Sequence, residues 1–214
     1  MKKIAVGLVG VIALVVIGNA VFVPSSAHAQ SVEEAGKRLA KTEERLASEV
    51  AKSAAGAAAV SSELQVPGQP GLPQQLLEFG RSNDRLQQLQ AELAKDIGVF
   101  EEARTAKLAL LGAELQAIKN PTTRRQMERL RTRALHQVTE RLAGARAALD
   151  GLHLVLAQGE DLTHAAKCVQ LAEDLTVQSQ DLAAQVQRAT EQATQYAKLT
   201  TVLLASLTVA QSAD

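Results

Sequence analysis

The sequence has one cysteine, Cys168, no tryptophan, and aromatic side chains at four positions only: Phe22, Phe79, Phe100 and Tyr196. A single cysteine excludes an intramolecular disulfide, and a free thiol of this kind is expected to be buried. Apolar residues make up 46% of the chain but aromatics only 2%, so the apolar content is alanine, leucine and valine. That mixture suits the seams between helices and fills a compact globular core poorly. Glycine and proline are scarce as well, at 13 and 5, and they cluster. An all-β domain needs turn residues about every 8–12 positions, so the scarcity excludes one. The expected class is all-α, an elongated bundle or coiled coil of about four long amphipathic helices.

An excess of either charge is missing too, with 23 basic residues against 23 acidic. Removal of the first 29 residues deletes Lys2 and Lys3 and no acid, which leaves 21 against 23. Such a balance makes no electrostatic case for nucleic acid as a partner. No GxSxG, glycine-rich phosphate loop, HExxH or CxxC occurs, and no carboxylate pair sits in a recognisable pocket context. The chain reads as a non-enzyme without cofactor or small-molecule substrate.

What is present begins with an export signal. Lys2 and Lys3 form a positive start, Ile4–Ile17 is an apolar run, and Gly18, Asn19 and Pro24 break the helix before Ala27-His28-Ala29. This is the pattern of a secretory signal peptide over Met1–Ala29, cleaved before Gln30. The alternative is a retained anchor, since Ile4–Ala27 carries no charge and about 20 apolar residues span a bilayer. Either way the body belongs outside the cytoplasm, periplasmic or secreted, or held at the inner membrane through residues 4–23.

Four helical stretches follow from apolar spacing and breakers. The first is an alanine-rich helix over Val32–Leu64, within a unit 30–64, with Glu43 and Ser53 among the positions of its weak seam. Gln65–Pro73 holds three prolines and two glycines and is the clearest linker. A bundle or coiled-coil region is expected over 74–214. Its helices are read as Gln74–Asn120, ended by Asn120-Pro121; Pro121–Gln158, ended at Gly159; and Glu160–Ala210. The last has strict three-four spacing at Leu182, Val186, Ala189, Ala193, Tyr196, Thr200, Leu203 and Leu207, the best heptad stretch and the expected interaction seam.

Charge is uneven along the chain although its total is zero. From Lys119 to Arg146 there are eight basic residues against Glu128 and Glu140, and from Asp150 to Glu191 seven acids against Lys167 and Arg188. A hairpin turning near Gly159 would set the basic helix beside the acidic one. Within the basic stretch, Arg124, Arg125, Arg129, Arg131 and Arg133 form a candidate anion patch, although no aromatic lies among them to stack a base. The plainer reading is a solvated or acid-paired face. Glu160, His164 and Cys168 fall at i, i+4 and i+8, a weak metal-site candidate with no fourth ligand; the plainer reading is an exposed Glu-His pair beside a buried cysteine. Residues 199–210 form an apolar, uncharged terminal stretch, too short to span a membrane, and read either as core or as a membrane-inserting helix.

Together these features predict a non-enzymatic exported scaffold or interaction protein of the bacterial envelope, working by coiled-coil or bundle association with protein partners or with itself. The alternatives are a membrane-active protein using the C-terminal helix and, further off, a metal-binding or enzymatic helical protein.

Overall fold

The helix ends follow local chemistry. Ser31 caps α1 (Val32–Glu63): its Oγ accepts from the Glu34 amide at 3.1 Å, and the Glu34 carboxylate accepts from the Ser31 amide at 3.3 Å. This reciprocal box satisfies two otherwise orphaned donors, and Glu33 and Glu34 suit the positive end of the helix dipole. In the following connection the Glu63 carboxylate accepts from the Gly71 amide at 2.7 Å, just before α2 (Leu72–Ala117). The second helix stops at Ile118, whose backbone is extended. Asn120 Oδ1 then accepts from the amides of Thr122 (2.9 Å) and Thr123 (3.3 Å), restarting the chain as α3 (Pro121–Asp174). Asn120 and Pro121 thus act as cap and first helical residue. The last helix is α4 (Ser179–Ser212).

The computed structural model describes residues 31–66, 70–174 and 179–212; the export signal expected over Met1–Ala29 and linker positions 67–69 lie outside the described residues. Among the described residues there is no strand, and no helix is long and apolar enough to cross a membrane.

The all-α expectation holds, with four long helices. The expected break at Gly159 does not. Gly159 is buried inside α3, which continues to Asp174. A Cβ at this position would lie 2.6 Å from Asn83 Nδ2 and 3.1 Å from Tyr196 Cε2. The glycine therefore answers a close approach of side chains from α2 and α4, and its cost in helix propensity is offset by the packing it permits.

Neighbouring helices are antiparallel, with α1 against α2, α2 against α3, α3 against α4, and α4 closing on α1. Cross-helix pairs fix the register: Arg45–Glu92 and Ser53–Asn83 between α1 and α2, Gln90–His153 and Arg104–Thr139 between α2 and α3, Gln158–Gln192 between α3 and α4. The alanine-rich α1 folds back on α2 and belongs to the bundle. One apolar core runs along the axis, including Leu39, Leu46, Phe79, Leu93, Leu152, Leu162, Tyr196 and Leu203. Each buried leucine contributes about 1.5–3 kcal/mol, so the many leucines compensate for seams made mostly of alanine.

Moving the turn from Gly159 to beyond Asp174 also overturns the expected charge pairing. The basic stretch Lys119–Arg146 and the acidic stretch Asp150–Glu191 do not lie side by side, because α3 carries the first at one end and folds the second back on itself with α4. Arg141 pairs with Glu43 of α1 and Arg146 with Glu101 of α2 instead.

The helices differ in length, which shapes the molecule. Position 36 of α1 packs against Phe100, and Gly151 of α3 against Leu203, so α1 begins near the level of Arg104 and α4 ends near that of Leu142. Beyond that level only α2 and α3 continue. They form a two-helix hairpin over 105–136 that stands about 20 Å clear of the four-helix body at 1.5 Å per residue.

Candidate functional site

Two features carry chemistry beyond apolar packing: a string of polar groups inside the body, and the hairpin that leaves it. The polar string begins near the hairpin base. Glu43 is fully buried in the seam of α1 and pairs with Arg141 of α3, itself 8% exposed in its side chain. On the α1–α2 side, buried Asp96 accepts from Thr42 Oγ1 at 2.8 Å and from Arg38 at 3.1 Å. Two turns further, buried Glu49 accepts from Ser82 Oγ at 3.1 Å and pairs with Lys52 at 3.1 Å and Arg85 at 3.4 Å. Burial alone would raise the Glu49 pKa, but the bonds from Lys52, Ser82 and Arg85 outweigh it and hold the carboxyl below its usual 4.5.

At the centre Ser53, Asn83 and Tyr196 meet. Asn83 Oδ1 lies 3.1 Å from Ser53 Oγ and 3.2 Å from Tyr196 Oη, and the two hydroxyls are 2.5 Å apart. With two O–H donors for three contacts, one hydroxyl donates to Asn83 and the other to its fellow hydroxyl. The Tyr196 ring packs edge-on to Phe79 with centroids 5.2 Å apart. Burial pushes its phenol up to about 12, against a smaller lowering by Ser53. Both hydroxyl donors are thus used within the cluster. Their chemistry is that of register: each polar layer is satisfied in one alignment of the helices and unsatisfied in a shifted one.

The hairpin is different. Between Glu101 and Glu140 the single buried residue is Leu115. Leu108, Leu111, Ile118, Met127, Leu135 and Val138 are half-buried along the seam between the two helices, while Leu110 is 64% and Leu130 54% exposed.

The five arginines of the sequence patch separate on this scaffold. Arg125, Arg129 and Arg133 recur at every fourth position and line one exposed strip of α3, where none has an ion pair or hydrogen bond among the described residues. Arg124 approaches Glu128 at 4.0 Å. Arg131 turns inward to the seam, with its Nε buried and unpartnered. A groove bounded by Arg125, Glu128, Arg129, Thr132 and Arg133 follows the exposed strip.

No family model, curated protein or solved structure matches this chain.

The weak metal candidate stays apart from any site. Glu160, His164 and Cys168 do share an exposed face of the continuous α3, but no group of three such side chains able to hold a metal occurs among the described residues. Cys168 is exposed, contrary to the expectation of burial, because it lies on the side of α3 away from Leu162, Ala166 and Val169. The heptad seam of α4 is used inside the chain: Ala189, Ala193, Tyr196, Thr200, Leu203 and Leu207 are buried, and Leu182 and Val186 half-buried. The same packing places Leu203 and Leu207 of the apolar stretch 199–210 in the bundle core.

A shallow groove between α1 and α2 is lined by Arg45, Lys52 and Arg85 together with Glu49 and Glu92. Its cations are already engaged by its acids, at 2.6 Å for Arg45–Glu92. Asp96, Glu49, Ser82 and Asn83 are not apparent as site residues from motif or composition. Seam spacing holds the missing signal, since Ser82 fills the gap between Phe79 and Leu86, and Asp96 stands three residues after Leu93 and four before Phe100.

Proposed function

We propose that the protein is an exported, non-enzymatic helical scaffold of the bacterial envelope that acts by helix association with a protein partner. The observation that carries this reading is the uncovered hairpin. Its apolar seam is only two helices thick, its outer strip presents Arg125, Arg129 and Arg133, and Leu110 and Leu130 stand in solvent. Exposed leucines flanked by arginine are the makings of a binding surface. The polar layers of the body support the same reading, since a rigid body in one register holds the hairpin in a fixed direction. Export rests on the charged start, apolar run and Ala27-His28-Ala29 of the first 29 residues.

A photo-crosslinking side chain placed at Leu130 and expressed in a bacterial host tests it. A discrete adduct in the envelope fraction is expected from Leu130 and not from exposed Leu154 on the body. Absence of the hairpin adduct, or retention of the whole population in the cytoplasm with Met1 intact, sinks the reading.

A further inference from the structure

The two ends of the molecule carry opposite charge. On the hairpin, Lys107, Lys119 and the five arginines from Arg124 to Arg133 stand against Glu114 and Glu128. At the far end, below the Ser53–Asn83–Tyr196 layer, α3 and α4 hold six acids between Glu160 and Glu191 against Lys167 and Arg188. The neighbouring ends of α1 and α2 add Glu63 and Glu78 against Arg81. Each end also exposes apolar side chains: Leu110 and Leu130 on the hairpin, and Val66, Leu77 and Leu171 at the acidic end.

We propose that the protein associates head to tail with a second copy of itself, the basic hairpin of one molecule seating on the acidic α3–α4 end of the next. The proposal rests on the reading of the hairpin as a protein-binding surface and names its partner. Opposite fields steer the two ends together, and the exposed leucines give the contact an apolar centre once charge has aligned it. Hairpin-to-hairpin and tail-to-tail pairing are both disfavoured by like charge. Because the two surfaces lie at opposite ends of a rod, the contact is heterologous and does not close on a dimer; it generates chains. An anionic bilayer is the competing occupant of the hairpin. It is less favoured because the hairpin has none of the aromatic side chains that anchor proteins at a membrane interface, the nearest in sequence being Phe100. A bilayer also leaves the apolar residues of the acidic end without a role.

Protein recovered from the exported fraction is examined by light scattering and sedimentation. Association is expected to weaken about tenfold or more between about 0.05 M and about 0.5 M salt, as screening predicts. One variant carries Arg125→Glu, Arg129→Glu and Arg133→Glu; a second carries Glu160→Lys, Asp161→Lys and Asp181→Lys. All six side chains are exposed, so both variants should keep the helicity and melting of the parent. Each variant alone should be monomeric, and an equimolar mixture should associate again, because acidic and basic ends then alternate. A third variant, Gln126→Cys, supplies a thiol on the hairpin; mild oxidation should link position 126 of one copy to the native Cys168 of another, as read by mass spectrometry.

A monomer at all salt concentrations overturns the proposal, as does a mixture that fails to recover. Linkage of Cys168 to Cys168 as the main product points to tail-to-tail pairing and also overturns it. Vesicles of phosphatidylglycerol and phosphatidylethanolamine provide the last arm. Binding by the parent and not by the arginine variant, without self-association, assigns the hairpin to lipid and overturns the proposal. If self-association fails while Leu130 still captures a different envelope protein, the scaffold reading stands and only the identity of the partner changes.

Discussion

Glu43 of α1 and Arg141 of α3 form a buried ion pair across the diagonal of the bundle, between helices that otherwise barely meet. Two charges removed from water are tolerated only while each has the other. Glu43→Gln or Arg141→Met alone should therefore cost about 3–5 kcal/mol in urea unfolding, because the remaining charge is left buried. Glu43→Met together with Arg141→Met should recover most of that loss. A double variant as unstable as the worse single one would show that the pair does more than cancel charge.

Tyr196 makes stability depend on alkaline pH. Its phenol is held near 12 in the fold against an ordinary value of 10, so the unfolded chain releases this proton first. The stabilisation is complete below pH 10 and is lost as pH rises through 12, by about 2–3 kcal/mol at 1.36 kcal/mol per unit. Tyr196→Phe should flatten that limb in chemical denaturation between these pH values. An unchanged slope would mean that another group titrates there.

Glu49 acts at the opposite limb. Its folded pKa lies below 4.5, so its contribution is present above that pH and lost as pH falls through the folded value. Glu49→Gln should lower stability at neutral pH by about 1–3 kcal/mol, the usual loss for a hydrogen-bonded charged group, and should make the acid limb shallower. Equal acid limbs in parent and variant would place the titration elsewhere.

The glycines divide into two kinds. Gly98 and Gly112 face open space, so replacement by alanine should stabilise by about 0.5–1 kcal/mol each through helix propensity alone. Gly159→Ala meets Asn83 and Tyr196 and should destabilise by about 1–2 kcal/mol net, since overpacking exceeds the propensity gain. Thermal melts of the three variants read both signs. Stabilisation by Gly159→Ala would mean that the Asn83 side chain moves aside freely.

Much of the architecture is legible in the sequence because breakers act locally. Ser31 with Glu34 marks the start of α1, and Asn120-Pro121 marks the joint between α2 and α3, each through its own side chain or ring. Gly159 misleads for a tertiary reason: its lack of a Cβ serves Asn83 and Tyr196, 76 residues upstream and 37 downstream, and no local rule sees them. The misplaced turn then carries the charge pairing with it, since the basic and acidic stretches become neighbours or opposite poles according to where α3 ends. The arginine strip was legible as composition only. That Arg131 turns inward while Arg125, Arg129 and Arg133 stay out depends on which face of α3 meets α2. Glu43 and Ser53 were visible as polar residues on a seam, but their partners Arg141, Asn83 and Tyr196 come from other helices.

The thin hairpin also sets a gradient of opening along the molecule. Amides from Thr105 to His136 depend on one seam with Leu115 as its buried residue, whereas those of the body are enclosed by four helices. Local opening should therefore start at the Asn120 joint and travel toward Arg104, and hydrogen exchange should fall off in that order. The hairpin can fray and re-form while the body stays shut, so a partner that grips it also rigidifies it, and slowed exchange over 105–136 becomes a direct signature of engagement.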